Sequence, residues 1–182
     1  LRRWVGRDIT LRDLINAAKA DPGGINMAHS GNWGALFVPA AQIMKATEAS
    51  FNLVPFQGGG PAMQALLSGD AEVTMGFPST LSALLDAGKV KILATAGEER
   101  IYDDVPSFAE LNIGGDVGFM HRVVLAPAGT PDDVLEKLAE AFTALQEDKT
   151  YKNMMGRLGE NTDYISGGEY QAMREGQNAA YK

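Results

Sequence analysis

The chain has 182 residues and no cysteine, with 45% hydrophobic and 21% charged side chains, and its 23 acidic and 16 basic groups give a net charge of −7. That is the composition of a globular protein long enough for one large domain or two small lobes. It excludes disulfides, thiolate nucleophiles and cysteine-ligated metals; a spanning helix, since no apolar run approaches the roughly 20 residues a bilayer requires; and a nucleic-acid footprint, since basic residues cluster only at Arg2, Arg3 and Arg7.

Residues 1–7 show no period and no apolar signal-peptide core, and the chain opens without an initiator Met; it reads as a piece of a longer product. Thr10 is placed to cap a helix with Leu11, Leu14, Ile15 and Ala18 on one face, ended by Asp21-Pro22-Gly23-Gly24. A strand at 25–29 and the turn Ser30-Gly31-Asn32-Trp33-Gly34 lead to a helix carrying Leu36, Ala40, Ile43, Met44 and Thr47. The unit then recurs. A strand at 51–54, the turn Gln57-Gly58-Gly59-Gly60 and a helix at 61–68 come first. A strand at 71–75, the turn Gly76-Phe77-Pro78 and a helix at 79–87 capped by Gly88 follow, then a strand at 90–96. Strands alternating with helices through short Gly/Pro turns predict an α/β fold with a mainly parallel sheet covered by helices.

The region 102–115 is irregular, with Asp104-Val105-Pro106-Ser107 capping a short helix around 108–111 and Gly114-Gly115 ending it. The run 117–127, centred on Val123, Val124 and Leu125, predicts a long strand and a lobe boundary. Thr130-Pro131-Asp132-Asp133 caps an amphipathic helix through Val134, Leu135, Leu138, Phe142 and Leu145. A helix at 149–158 ended by Gly159, a further strand at 162–165 and a last helix from Gly168-Glu169 to Tyr181 complete the chain.

Three βα turns, 30–34, 57–60 and 76–78, would all lie at the carboxyl ends of parallel strands, the edge where open α/β sheets bind ligands. Glycines bare the backbone there, and unpaired N–H groups at a helix start attract an anion. The competing reading of each is a tight turn without a ligand. Ser30 and Asn32 supply side-chain donors for a carboxylate, or else cap the next helix. Trp33 and Phe77 wall a pocket, or else fill core. His29 and His121, the two histidines, match no zinc spacing and read as structural, with a cleft-lining role open for His121. No Gly-x-Ser-x-Gly elbow, GxxxxGK[ST] loop or GxGxxG fingerprint occurs, and Glu98-Glu99 and Asp103-Asp104 read as solvated loop charges. Anion recognition by backbone remains, without a reactive group.

The block Val54-Pro55-Phe56-Gln57-Gly58-Gly59-Gly60-Pro61-Ala62 resembles the signature of the tripartite tricarboxylate transporter receptors, the Bug-type solute-binding proteins. The blocks at 30–34, 69–73, 78–79, 87–90, 104–107 and 125–131 agree with it in order and spacing. The resemblance implies a type II periplasmic binding protein fold of two lobes. Residues 1–118 would be lobe two with the ligand-binding turns, and 119–182 the crossing strand and returning part of lobe one, whose first half is absent. It implies a non-enzymatic periplasmic receptor that carries a di- or tricarboxylate or similar acid to membrane permease subunits. No cofactor, metal, nucleic acid or membrane insertion is implied. The implied ligand contacts are Ser30, Gly31, Asn32, Trp33, Gly34, Gln57, Gly58, Gly59, Gly76, Phe77, Pro78 and His121. Phe56-Gln57 stands where Tyr-Lys is common, removing a hydroxyl and a cation, which favours a less charged acid. Two alternatives stand beside this reading: the ligand-sensing effector domain of a transcriptional regulator, and an enzyme using the same anion site.

Overall fold

The computed structural model describes residues 8–113, 121–158, 160 and 162–180, with the backbone alone at 177–180. The expected lead-in at 1–7, the stops at Gly114-Gly115 and Gly159, the strand residues 117–120 and the helix end at Tyr181 lie outside the described residues. The chain divides into two compact units, Leu1–His121 and Arg122–Lys182.

In the first unit, α1 (Leu11–Ala20) begins at Thr10 in a reciprocal capping box. The Asp13 N–H lies against Thr10 Oγ1, and the Thr10 hydroxyl first, then the Thr10 N–H, donate to Asp13 Oδ2 and hold the Asp13 carboxyl below its ordinary pKa. Leu11, Leu14 and Ala18 are buried, the stripe that the period predicts. Three strands follow: β1 (Asn26–His29), β2 (Asn52–Pro55) and β3 (Val73–Thr74), all parallel in the order β2-β1-β3. Register is pinned at the strand starts, where Asn26 opposes Asn52 and its Oδ1 accepts from Asn52 Nδ2 at 2.8 Å.

The central strand β1 is covered on both faces. Ile25 and Met27 pack with Leu11, Leu14, Ala40 and Ile43 of α1 and α2 (Phe37–Thr47). Ala28 packs with Ala62 and Ala65 of α3 (Gly59–Ser68) and with Ala71. Alternate residues of a two-sided strand meet different helices, as the pleat demands. The small second cluster lets α3 approach the sheet closely. The fourth helix, α4 (Pro78–Asp86), follows β3 and is closed by Gly88 at φ 61.

The predicted strand at 90–96 does not form. Thr95 alone makes a parallel bridge, to Ser107, with the Phe108 N–H donating to its carbonyl at 2.8 Å. A strand needs a continuous neighbour, and irregular loop is what lies beside this run. The helix expected around 108–111 is a set of tight turns, fixed by the buried Ser107 hydroxyl, which donates to the Glu98 carbonyl at 2.9 Å.

The second unit is helical: α5 (Asp132–Leu145), α6 (Lys149–Leu158) and α7 (Gly167–Ala180). Asp132 and Asp133 sit in the first turn of α5, where the helix dipole favours them. Its N-cap is Pro131 rather than Thr130, whose hydroxyl donates back to the Pro127 carbonyl at 2.8 Å. Arg122 grips Glu160 with both terminal nitrogens, at 2.9 and 3.1 Å. Among the described residues neither predicted strand appears: 121–127 and 162–165 are irregular coil, with Leu125 85% exposed. Their alternation matches a strand, but no sheet edge among the described residues supplies ladder bonds.

Candidate functional site

The strand order places all three turns on one edge. The chain steps from β1 outward to β2, then returns past β1 to β3, so the connections that leave the carboxyl ends of β1 and β2 run in opposite directions. That reversal is the crevice where α/β sheets receive ligands. The turn 30–34 is central, with 57–60 and 76–78 flanking it.

Turn and strand are tied by His29 at the end of β1. Its buried ring donates from Nδ1–H to the Gly31 carbonyl at 3.1 Å and lies 5.2 Å from the Phe37 ring. Here the structural reading of His29 holds. Ser30 Oγ accepts from the Leu36 N–H at 3.4 Å and so helps to start α2, the capping role among its two readings. Gly34 closes the turn, donating to the Gly31 carbonyl at 3.1 Å while its own carbonyl receives the Phe37 and Val38 N–H groups. The N–H groups of Gly31, Asn32 and Trp33 meet no acceptor among the described residues.

The second turn is joined to the first. The Phe56 N–H donates to the His29 carbonyl at 2.9 Å, and a Cβ at Gly31 would lie 3.6 Å from the Phe56 carbonyl. Gly58 is the N-cap of α3 at φ 106 and ψ 174, a backbone state open essentially to glycine. Its N–H is engaged by the Phe56 carbonyl at 2.9 Å. The donors are one position further on. Gly59 and Gly60 form the first turn of α3, their N–H groups without an acceptor among the described residues, and Pro61 has no N–H. The helix therefore starts two residues earlier than its alanine-rich pattern implies.

At the third turn, the Phe77 N–H is taken by Thr80 Oγ1 at 3.3 Å, and Phe77 and Pro78 are half-buried. A Cβ at Gly76 would lie 3.1 Å from Leu81, so glycine here makes room for α4. Gln57 is exposed, and His121 is half-buried at the last position of the first unit.

Of the two readings of Trp33, pocket wall or core, the core reading does not hold. It is 83% exposed and holds φ 60, a left-handed conformation that costs a bulky residue about 1–2 kcal/mol. Its ring leans on Phe37 at 5.5 Å and 58°.

A further signal lay in the charge positions. The stretches 30–44, 49–69 and 73–85 hold no Asp, Glu, Lys or Arg, so every turn at this edge and the body of each following helix are electrically neutral. What these turns offer is N–H dipoles and neutral polar side chains, with no charged group. Among the described residues no three His, Asp or Glu side chains gather as a metal set, and no helix is long and apolar enough to cross a membrane. A shallow hollow of about 330 Å³ lined by Leu11, Lys19, Lys45 and Glu48 lies at the far end of α2 from these turns.

The family model for the tripartite tricarboxylate transporter family receptor matches residues 8–180. A curated relative from Cupriavidus necator, a UPF0065 protein, is 27% identical over 163 residues, which are 88% of this chain and 49% of the relative. A ligand-free TctC solute-binding protein from Polaromonas superposes with a TM-score of 0.76 at 27% identity, covering 98% of this chain and 60% of that one. MatC from Rhodopseudomonas palustris, solved with bound malate, superposes with a TM-score of 0.62 at 25% identity, over 82% of this chain and 52% of its own. The chain thus spans about half the length of the curated relative.

Proposed function

Because this chain belongs to the tripartite tricarboxylate transporter receptor family, with the type II periplasmic binding protein fold of its structural neighbours, we propose that it is an extracytoplasmic receptor. It captures a small organic carboxylate and delivers it to a membrane permease, in the periplasm and without chemistry. The turns belong to lobe two, residues 1–118, and 119–182 form the returning part of lobe one.

The observation that carries this reading is the pair of N–H groups at Gly59 and Gly60, without acceptors among the described residues, on the same edge as those of Gly31, Asn32 and Trp33. A carboxylate has two oxygens with lone pairs for such donors. Charge-assisted bonds of this kind contribute about 1.5–3 kcal/mol each, and the positive end of the α3 dipole adds to them. The MatC neighbour was solved with malate, a small carboxylate, which supports the ligand class. Among the described residues no side chain at the edge is arranged as nucleophile and base, which supports a receptor over an enzyme.

Gly59→Pro is the test. Gly59 is the first residue of α3, where proline is tolerated, so the substitution removes one N–H without breaking the helix. Calorimetric titration of the complete gene product with mono-, di- and tricarboxylates should show binding of at least one acid, weakened about tenfold or more in Gly59→Pro. Binding of no acid, or equal affinity in the variant, overturns the reading.

A further inference from the structure

Trp33 violates two preferences of a folding chain at once. A left-handed φ of 60 is ordinarily filled by Gly, Asn or Asp, and a large apolar ring is ordinarily covered. Here the indole stands 83% exposed at the tip of the central turn. It is nevertheless held, through Phe37 at 5.5 Å, which itself rests on the buried His29 ring at 5.2 Å. This aromatic series runs from the core to the rim and fixes the orientation of a ring that contributes little to the core. The N–H groups of Gly31, Asn32 and Trp33 itself lie within two residues of it.

The electrostatics of the same edge narrow the ligand. The turns and the helices after them carry no charged side chain over 30–44, 49–69 and 73–85. Arg100, in the next loop, is occupied by Glu110 and by the Asp103 carbonyl. One carboxylate is served by backbone donors, but a second charge drawn out of water here would meet no cation on these three stretches, Lys45 lying in the last turn of α2 away from the edge. An indole face, by contrast, rewards a flat apolar body.

Resting on the carboxylate reading above, we propose that Trp33 makes the site selective for a monocarboxylate carrying an aromatic ring, the ring lying on the indole while the carboxylate takes the N–H groups of the turns. Trp33 is then a specificity-determining residue, and polycarboxylates are disfavoured ligands.

The test compares benzoate, malate and citrate by calorimetry on the complete gene product and on Trp33→Gly and Trp33→Phe. Glycine suits φ 60 and the indole is exposed, so Trp33→Gly should fold and melt no lower than the parent. Benzoate should bind about tenfold tighter than malate or citrate. It should lose about tenfold in Trp33→Gly, with malate unchanged within about threefold, and Trp33→Phe should restore most of the loss. Benzoate should also perturb indole fluorescence in the parent. Malate or citrate preferred over benzoate, or a Trp33→Gly effect equal for all acids or absent, overturns this proposal while leaving the carboxylate reading intact. Binding of none of the acids overturns both.

Discussion

The imidazole of His29 donates from Nδ1–H to the carbonyl oxygen of Gly31, 3.1 Å away, so the last residue of the central strand holds the turn that follows it. A carbonyl can only accept, which places the proton on Nδ1. The ring is 1% exposed and packs on Phe37, and among the described residues removing the donor leaves the Gly31 carbonyl held by the Gly34 N–H alone. His29→Phe keeps an aromatic ring beside Phe37, at a somewhat larger volume, but drops the hydrogen bond. It should lower unfolding free energy by about 1–2 kcal/mol in urea titration and weaken acid binding by loosening Gly31 and Asn32. Unchanged stability and affinity would mean that the bond does not order the turn.

Gly34→Ala tests the closure of the same turn. A Cβ there would stand 2.9 Å from Ser30 Oγ and 3.0 Å from the Gly31 carbonyl oxygen. Overpacking against backbone should cost about 1–3 kcal/mol, read from the urea midpoint. Adding Ser30→Ala removes the nearer atom but not the carbonyl, so the double variant should recover only part of the loss. Full recovery would show that the backbone moves aside freely.

Two glycines of the triple-glycine turn should respond with opposite signs. Gly58 holds φ 106 with open space around its Cβ position, so Gly58→Ala meets no clash and its cost is purely conformational, about 1–3 kcal/mol. Gly60 is helical, also with open space, so Gly60→Ala should stabilise by about 0.5–1 kcal/mol through helix propensity. Chemical denaturation of both variants checks the pair. Equal effects would mean that α3 does not begin at Gly59.

What could be read ahead of the structure was local, and what could not was relational. Thr10 announces its helix because a cap and an apolar stripe are properties of neighbours in the chain, and the turn at 30–34 is read in the same way. Whether an apolar run becomes a strand depends on a partner elsewhere. The runs 90–96 and 162–165 have strand-like patterns yet lack a continuous ladder, and among the described residues Thr95 alone makes a bridge, an isolated one to Ser107. The three site turns were legible as a set, and their common edge follows from the parallel order β2-β1-β3. Which N–H groups are open was not legible, since it depends on Phe56 curling back to engage Gly58. The choice for Trp33 between pocket wall and core was open for a related reason, since it depends on the φ of 60 at the turn, which goes with a ring 83% exposed.

The loop beyond Thr95 carries a titratable lock with a definite sign. The Glu110 carboxylate accepts from Arg100 Nε at 2.9 Å and from the Ser107 N–H at 2.8 Å. The Arg100 hydrogen bond first, and the Ser107 backbone bond after it, hold the Glu110 carboxyl below its ordinary pKa. A depressed folded-state pKa stabilises the fold above the unfolded value of about 4.3, and that contribution disappears as pH falls through the lowered folded value. Glu110→Gln keeps an acceptor for Ser107 but removes the charge. The variant should therefore be less stable than the parent at pH 7, and the gap should close as acid protonates Glu110 in the parent. Both partners are well exposed, so salt should narrow the gap at pH 7 as well. Urea midpoints of the two proteins at pH 7, 5 and 3, with and without added salt, decide the matter. A gap that stays constant across pH would place the contribution of Glu110 in its shape rather than its charge, and the lock would then be the Ser107 hydrogen bond alone.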